Sequence, residues 1–230
     1  MKAYFAVIIG LAALFTACDR RPVQKDIVLD GNTMQQKKAA YSEMQSSPGA
    51  ASAPFELQFL DALITNHEAA IDMALLVETR AQHAELKAFA KSSLTELRNE
   101  VAELRKLRNG AYPGKDIVIN MDFPGLRNGM KQIDLAKLDM LKENAFDLEF
   151  IKQMVQLDLG TVQMVKNAAT TDLVKPVDGR SASGADGAVG PEVKTLAAAI
   201  LKARDAEITQ MRGWQNAWDK ENPAGPAANK

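Results

Sequence analysis

Residues 55–74 read FELQFLDALITNHEAAIDMA, and residues 146–165 read FDLEFIKQMVQLDLGTVQMV. The two segments align without a gap at a constant offset of 91 positions. In each of them apolar residues recur at spacings of three and four, which predicts an amphipathic helix. Because the apolar positions coincide, the sequence predicts two equivalent helices and a fold built from two related halves. Identical residues stand at several aligned pairs, among them Phe55 with Phe146, Phe59 with Phe150, and Met73 with Met164.

A second pair of helical segments repeats at an offset of 107, where Glu100 and Leu104 correspond to Glu207 and Met211. The larger offset places the extra residues in a loop rich in glycine, serine and alanine within residues 176–191. Two hairpins joined by a long crossover pack most simply as an all-α four-helix bundle. The predicted hairpins span residues 55–112 and 130–219, with long helices at 55–80, 83–108, 146–170 and 192–219.

The N-terminus has the pattern of a bacterial lipoprotein signal. Lys2 precedes an apolar run at residues 3–15 that is too short to span a membrane, and small residues then lead to Cys18, the one cysteine of the chain. We predict a signal peptide at residues 1–17 and lipidation of Cys18. An ordinary secretory signal followed by a buried free thiol is the alternative interpretation. Asp19 favours the inner over the outer membrane.

The flanks of the predicted bundle are polar. Residues 18–54 have the composition of a disordered tether, and residues 220–230 that of a disordered tail. The chain carries 28 basic and 29 acidic side chains, a balance that provides no strong field for binding nucleic acid. We therefore expect the membrane, reached through the lipid, as a partner, and no nucleic acid. The sequence does not identify a protein partner or an oligomeric state.

The two halves differ in chemistry where His67 of the first copy aligns with Asp158 of the second. Glu100 and Glu207 stand at equivalent points of the other two long helices. One hypothesis is a buried, hydrogen-bonded pair between His67 and Asp158. Another is a metal site formed by these two residues with one or both glutamates, as carboxylates can do inside bundles. In the third, the groups do not meet.

Three methionines recur at helical positions and offer soft sulfur ligands: Met73, Met164 and Met211. Methionine is also a versatile core residue, and the helical spacing favours core packing over a copper site. Trp214 and Trp218 lie one turn apart and are expected to cap one end of the core. A surface for a protein partner is the alternative interpretation. No serine is tied by spacing to a histidine, and no glycine-rich phosphate motif follows a strand. We therefore expect no catalytic activity.

The stretch Asn66-His67-Glu68-Ala69-Ala70-Ile71-Asp72-Met73-Ala74 resembles the first motif of the family called domain of unknown function 305 (DUF305). Further resemblance runs through Glu85 to Ala90 and through the second copy from Phe146 to Trp214. The resemblance implies a ferritin-like helical bundle, secreted or periplasmic, and the binding of copper or other soft metals through histidines and methionines. The family's histidine pair is Asn66-His67 in one half and Leu157-Asp158 in the other, so the implied metal site is degenerate.

Two functions follow from these observations. The first is a non-catalytic, lipid-anchored protein of the cell envelope that acts as a binding or interaction module, with a degenerate metal site and no certain cofactor. The alternative is a periplasmic protein that binds or buffers copper through His67 and the methionines.

Overall fold

A computed structural model of the chain describes residue 41, residues 43–171 and residues 189–221. Within these residues all regular structure is helical, and four long helices form two hairpins joined by a crossover. The predicted all-α bundle of two helical hairpins is therefore confirmed. The helices are α1 (Phe55–Ala74), α2 (Val77–Arg80), α3 (Ala84–Ala111), α4 (Leu126–Met130), α5 (Leu135–Met140), α6 (Glu143–Thr171) and α7 (Pro191–Trp218).

The helix boundaries differ from the predicted ones in ways that local chemistry explains. The predicted first helix of residues 55–80 breaks at Leu75. The N–H of Leu75 bonds to the carbonyl of Ile71, and the N–H of Leu76 bonds to the carbonyl of Met73, which tightens the last turn of α1. Helix α3 ends just before Pro113 and Gly114, and Gly114 has a φ of 69°, which ends the helical path. Pro191 begins α7 at the position where its missing N–H costs nothing.

The hydrophobic core lies between the four long helices. Helix α1 packs against α3 and α6, and α6 packs against α7, whereas α3 and α7 contact each other only sparsely. Most of the apolar positions shared by the two copies are buried, including Phe59, Phe146 and Phe150, which are closed to solvent. Burying each such ring stabilises the fold by about 1.5–3 kcal/mol, so the duplicated pattern contributes substantially to the bundle's stability.

The crossover is pressed onto α6 by two glycines. Gly125, just before α4, has a φ of 97°, and a side chain there would strike the backbone of Gly160 in α6. A Cβ on Gly160 would in turn lie 2.7 Å from the carbonyl oxygen of Gly125. The close approach of the two backbones therefore requires glycine on both sides.

A buried ion pair ties the crossover to the first hairpin. The Arg108 guanidinium donates from Nε to Asp61 Oδ1 at 2.8 Å and from Nη2 to Asp61 Oδ2 at 3.3 Å. Its remaining bonds go to the carbonyls of Lys115 and Asp116, at 2.9 and 2.7 Å. The amide of Val118 donates to the same carboxylate at 2.8 Å. The end of α3 and the start of the crossover thus share one fully bonded charge pair.

The segment before α1 packs against the bundle. Tyr41 donates its hydroxyl to the buried Asp72 at 2.6 Å. Ser47 exchanges hydrogen bonds with the backbone of Ile119, and Ser46 accepts from the amide of Met121. The expectation of a disordered tether up to residue 54 is therefore wrong for residues 43–54, because these serines pair with crossover amides that would otherwise lack partners.

Several predictions lie outside the described residues: the signal peptide at residues 1–17, the lipidation of Cys18, the tether before residue 41 and most of the loop at 176–191. The predicted tail is described only at Lys220 and Glu221. Among the helices that the structure describes, none combines the length and apolarity that crossing a membrane requires.

Candidate functional site

A polar cluster lies in the middle of the bundle, with one acidic or histidine side chain from each long helix. His67 comes from α1, Glu100 from α3, Asp158 from α6 and Glu207 from α7. All four were proposed from the sequence as site residues. Between them lies a fifth group, Arg204, whose side chain is only 2% exposed. We call these five residues the polar centre.

The Arg204 guanidinium connects the two outer helices. Its Nη2 donates to Glu100 Oε2 at 2.5 Å, and its Nη1 donates to Glu207 Oε2 one turn further along α7. Ser93 on α3 donates its hydroxyl to the other oxygen of Glu207 at 3.4 Å. Because α3 and α7 otherwise touch little, this charge-assisted bridge is their main polar connection in the described part of the bundle.

His67 is closed to solvent and lies beside Glu100, with its Nε2 3.0 Å from Glu100 Oε2. The approach is poorly aligned, and neither ring nitrogen makes a good hydrogen bond. Burial lowers the pKa of His67 and outweighs the raising effect of Glu100. The imidazole is therefore neutral at physiological pH. The expected hydrogen bond between His67 and Asp158 is absent, because the second copy places Arg204 among the carboxylates and His67 lies against Glu100 instead.

The three carboxyl groups of the centre have different electrostatics. Burial raises the pKa of Asp158 well above its usual range, and the carboxylates of Glu207 and Glu100 add to this against the opposing charge of Arg204. Burial also raises the pKa of Glu207, despite its bond to Arg204. For Glu100 burial acts in the same direction, but the contacts with His67 and Arg204 prevail and lower its pKa. The centre therefore contains three carboxyl groups and only one guanidinium to neutralise them.

This donor set does not fit a metal ion. A cation at the centre would need the carboxylate oxygens of Glu100 and Glu207, which already accept hydrogen bonds from Arg204. In the part of the chain that the structure describes, no three His, Cys, Asp or Glu side chains are arranged to hold a metal. The Arg204 cation stands among the acidic groups where a metal would be bound, so the metal hypothesis for His67, Asp158, Glu100 and Glu207 has no geometric support.

The three methionines proposed as soft ligands are closed to solvent. Met73, Met164 and Met211 are each 0% exposed and belong to the hydrophobic core. Their thioethers have the role expected of core residues. A copper site built from them stays a prediction.

Arg204 is the residue that the sequence reasoning missed. At the offset of 107, its counterpart in the first copy is Leu97, which is 1% exposed. An arginine at a position where the repeat demands a buried apolar residue is the signal that could have revealed it. Such a residue has to meet carboxylates, because a buried charge without partners is very costly.

A second polar cluster, at one end of the bundle, was also not foreseen. His83 Nδ1 lies 2.6 Å from Asp147 Oδ2, and its Nε2 lies 3.1 Å from Glu221 Oε2. The imidazole stacks on Trp218 with ring centres 3.8 Å apart. Burial opposes the charge of His83, but its bonds to the two carboxylates prevail and raise its pKa. The cluster fastens the end of α7 to the starts of α3 and α6, so Trp218 lies at one end of the core.

The comparisons with known proteins agree with this architecture. Residues 20–108 match the family model described as "Domain of unknown function (DUF305)". The resemblance to the DUF305 family is therefore confirmed, with these residues as the part that matches. A search of curated proteins finds no match.

Several solved structures are similar to this chain over 71–72% of its length. A DUF305 fragment from Deinococcus radiodurans has 20% identity, covers 72% of this chain and 97% of its own, and gives a TM-score of 0.56. A putative secreted DUF305 protein from Streptomyces coelicolor has 20% identity, with coverages of 72% and 94% and a TM-score of 0.54. CopM in its Cu(I)-bound form has 24% identity, with coverages of 71% and 96% and a TM-score of 0.53. At these identities the likeness establishes the fold alone.

Proposed function

We propose that this chain is a non-catalytic, lipid-anchored binding module of the cell envelope, in which the former metal position of the bundle has become a structural charge cluster. The observation that supports this most strongly is the bridge from Glu100 through Arg204 to Glu207. A guanidinium in that position supplies the positive charge that buried carboxylates need, and it does so permanently. The bundle then remains as a rigid scaffold whose surfaces are available for binding.

The envelope location is part of the proposal. The lipoprotein-like pattern ending at Cys18 supports a lipid anchor, and a structurally similar protein from Streptomyces coelicolor is described as secreted. Labelling of cells with an alkyne fatty acid tests the anchor directly. We expect lipid on the wild-type protein and none on Cys18→Ser. An equally labelled Cys18→Ser variant would rule out the anchor.

The metal part of the proposal is tested by titrating the mature protein with Cu(I) under reducing conditions and, separately, with Zn²⁺. We expect no binding tighter than about 1 µM that depends on His67, since that affinity would require about 8 kcal/mol from a centre already occupied by Arg204. His67→Ala is the test variant, and His83→Ala, which removes a histidine far from the centre, is the matched control. Tighter binding that is lost only in His67→Ala would refute the proposal.

The second candidate function is soft-metal binding. Its support is the similarity to CopM, whose structures include Cu(I)-bound, Cu(II)-bound and Ag-bound forms. In this chain the ligands would be His67 and the thioethers of Met73, Met164 and Met211, all of which are buried. Replacing the three methionines by leucine, which largely preserves core volume, should then abolish Cu(I) binding. Unchanged Cu(I) binding in that variant would eliminate this candidate.

A further inference from the structure

A groove of about 550 Å³ runs between α3 and α7, where the two outer helices separate. Its volume lies within the range of ligand sites in proteins. Helix α3 contributes Glu85, Phe89 and Glu96 to its walls, and α7 contributes Glu207 and Trp214. The groove therefore combines three acidic side chains with two aromatic rings, and none of its nine lining residues is basic.

The order of these groups along the groove follows from the contacts between the two helices. Ser93 lies opposite Glu207, and the Phe89 ring meets Trp214 edge-on at 5.6 Å between ring centres. The helices are thus antiparallel, with Glu85 beyond the aromatic pair and Glu96 beyond Glu207. Negative charge lies at both ends of the groove and the aromatic surface lies between them.

The negative charge of the groove is only partly compensated. Arg204 forms an ion pair with Glu207, but the same guanidinium also forms an ion pair with Glu100. Glu96 accepts a hydrogen bond of 3.1 Å from Ser92 and has no ion-pair partner given by the structure. Glu85 has neither a hydrogen bond nor an ion pair among the described residues. The carboxylate of Glu96 also helps to raise the pKa of Glu207, as expected where acidic groups crowd together.

We propose that this groove binds a linear polyamine, with its ammonium groups at the two acidic ends and its methylene chain against Phe89 and Trp214. The proposal deepens the binding-module function and rests on it. Glu85 and Glu96 are eleven residues apart on one helix, so they lie about 16 Å apart along its axis at 1.5 Å per residue. That spacing suits an extended tetraamine such as spermine. Ammonium groups are attracted both to carboxylates and to the faces of aromatic rings.

Calorimetric titration of the mature protein with spermine tests the proposal. We expect binding to weaken about threefold in Glu85→Gln and about threefold in Glu96→Gln, because exposed ion pairs contribute only modestly. Both side chains are exposed, so these variants should fold normally. Glu103→Gln is the matched control: it removes the same charge from α3 outside the groove, where Glu103 pairs with Lys106. Its affinity should stay within twofold of the wild type.

A comparison of ligands that differ in length and chemistry distinguishes a specific site from non-specific attraction of cations to acidic side chains. We expect the four-carbon diamine putrescine and Mg²⁺, at matched ionic strength, to bind at least tenfold more weakly than spermine. Trp214→Leu should weaken spermine binding without changing the weak binding of Mg²⁺.

Three results would overturn the groove proposal: no spermine binding, equal loss in Glu103→Gln, or tighter binding of a lysine-rich peptide that responds to the same variants. None of them would alter the outcome of the Cu(I) and Zn²⁺ titrations, so failure of the groove and failure of the proposed function remain distinguishable.

Discussion

Arg108 in the first hairpin and Arg204 in the second are the two buried arginines of the described chain, and their surroundings differ sharply. Arg108 faces one carboxylate, that of Asp61, and its other donors reach two backbone carbonyls. Arg204 meets Glu100 and Glu207, lies within the field of Asp158, and leaves its Nε without a hydrogen bond. Arg108 therefore has one carboxylate as its partner, whereas Arg204 faces three acidic side chains.

The difference shows where the bundle contains buried polar groups without hydrogen-bond partners. Four of the five buried side-chain atoms without a hydrogen bond in the described residues belong to the polar centre: both nitrogens of His67, Asp158 Oδ2 and Arg204 Nε. None belongs to the Arg108 pair. Buried polar groups without a hydrogen bond are rare in native proteins, so each of them calls for an explanation. If a metal-binding centre later acquired an arginine, some of its former ligand atoms would be left without hydrogen-bond partners.

The largest effect is expected from Arg204→Leu, which installs the residue that the first copy has at this position. At pH 8 we expect the free energy of unfolding to fall by about 3–5 kcal/mol, because buried carboxylates lose their cation. At pH 5 the loss should be smaller, since Glu207 and Asp158 can then take up protons. Urea denaturation at the two pH values measures both quantities.

Arg108→Leu is the matched control for that experiment. Its cost should be similar at pH 8 but should change less with pH, because only one carboxylate, Asp61, loses its partner. If the two variants show the same pH dependence, the two arginine environments do not differ in their electrostatics.

A second, smaller effect concerns coupling within the centre. Adding Glu207→Gln to Arg204→Leu should recover about 1–2 kcal/mol, the cost of one unpaired buried polar group. Glu207→Gln alone should destabilise the wild type, because it removes a partner of Arg204. The two substitutions are therefore non-additive, and a double-mutant cycle measures the coupling. Additive effects would mean that the pair of Arg204 and Glu207 within α7 contributes nothing.

The two histidines should respond to pH in opposite directions. Because burial lowers the pKa of His67, its neutral form favours the fold, and this stability is lost as the pH falls below about 6.5. The pKa of His83 is raised, so its contribution is present below about 6.5 and is lost as the pH rises through the folded value.

Thermal unfolding between pH 5 and pH 8.5 checks this sign difference. His67→Gln should flatten the acid side of the wild-type profile. His83→Gln should cost about 1 kcal/mol at pH 5.5, the value of one hydrogen bond, and much less at pH 8.5. Parallel shifts of both profiles would disagree with the assigned charge states.

The smallest effect is expected from Asp158→Asn. Asp158 Oδ2 makes no hydrogen bond, and burial disfavours the charged form of this carboxyl by raising its pKa, so an uncharged amide of the same shape is a close substitute. We expect a change of less than about 1 kcal/mol at pH 7, as for an unbonded polar exchange. Asp61→Asn is the contrasting variant and should cost several times more, since it breaks the pair with Arg108. Equal costs would remove the distinction between the two sites.

Much of the fold could be predicted from the sequence because it rests on apolar periodicity. The aligned phenylalanines and leucines of the two copies gave the four long helices, their pairing and the crossover, and the structure agrees. The break after Ala74 and the packing of residues 43–54 depend on tertiary contacts, such as the bonds of Ser46 and Ser47 to the crossover. Such contacts leave no periodic trace.

The polar centre could be predicted only in part. Aligning the copies identified His67, Asp158, Glu100 and Glu207, and all four lie in one cluster. The alignment did not reveal that a fifth, oppositely charged side chain would organise them, because an arginine on a helix is usually solvated. Aligning the second pair of helices at the offset of 107 places Arg204 opposite the apolar Leu97, and this mismatch indicates a buried cation.

The most direct test of the account is a Zn²⁺ titration of the wild type beside Arg204→Ala, followed by calorimetry at pH 7. Zn²⁺ accepts the histidine nitrogen and carboxylate oxygens that the centre would offer once the guanidinium is removed. We predict Zn²⁺ binding in Arg204→Ala that is abolished by adding Glu100→Gln, and none at this centre in the wild type. Equal binding by both proteins, lost in each on Glu100→Gln, would contradict the claim that Arg204 holds the position of the cation.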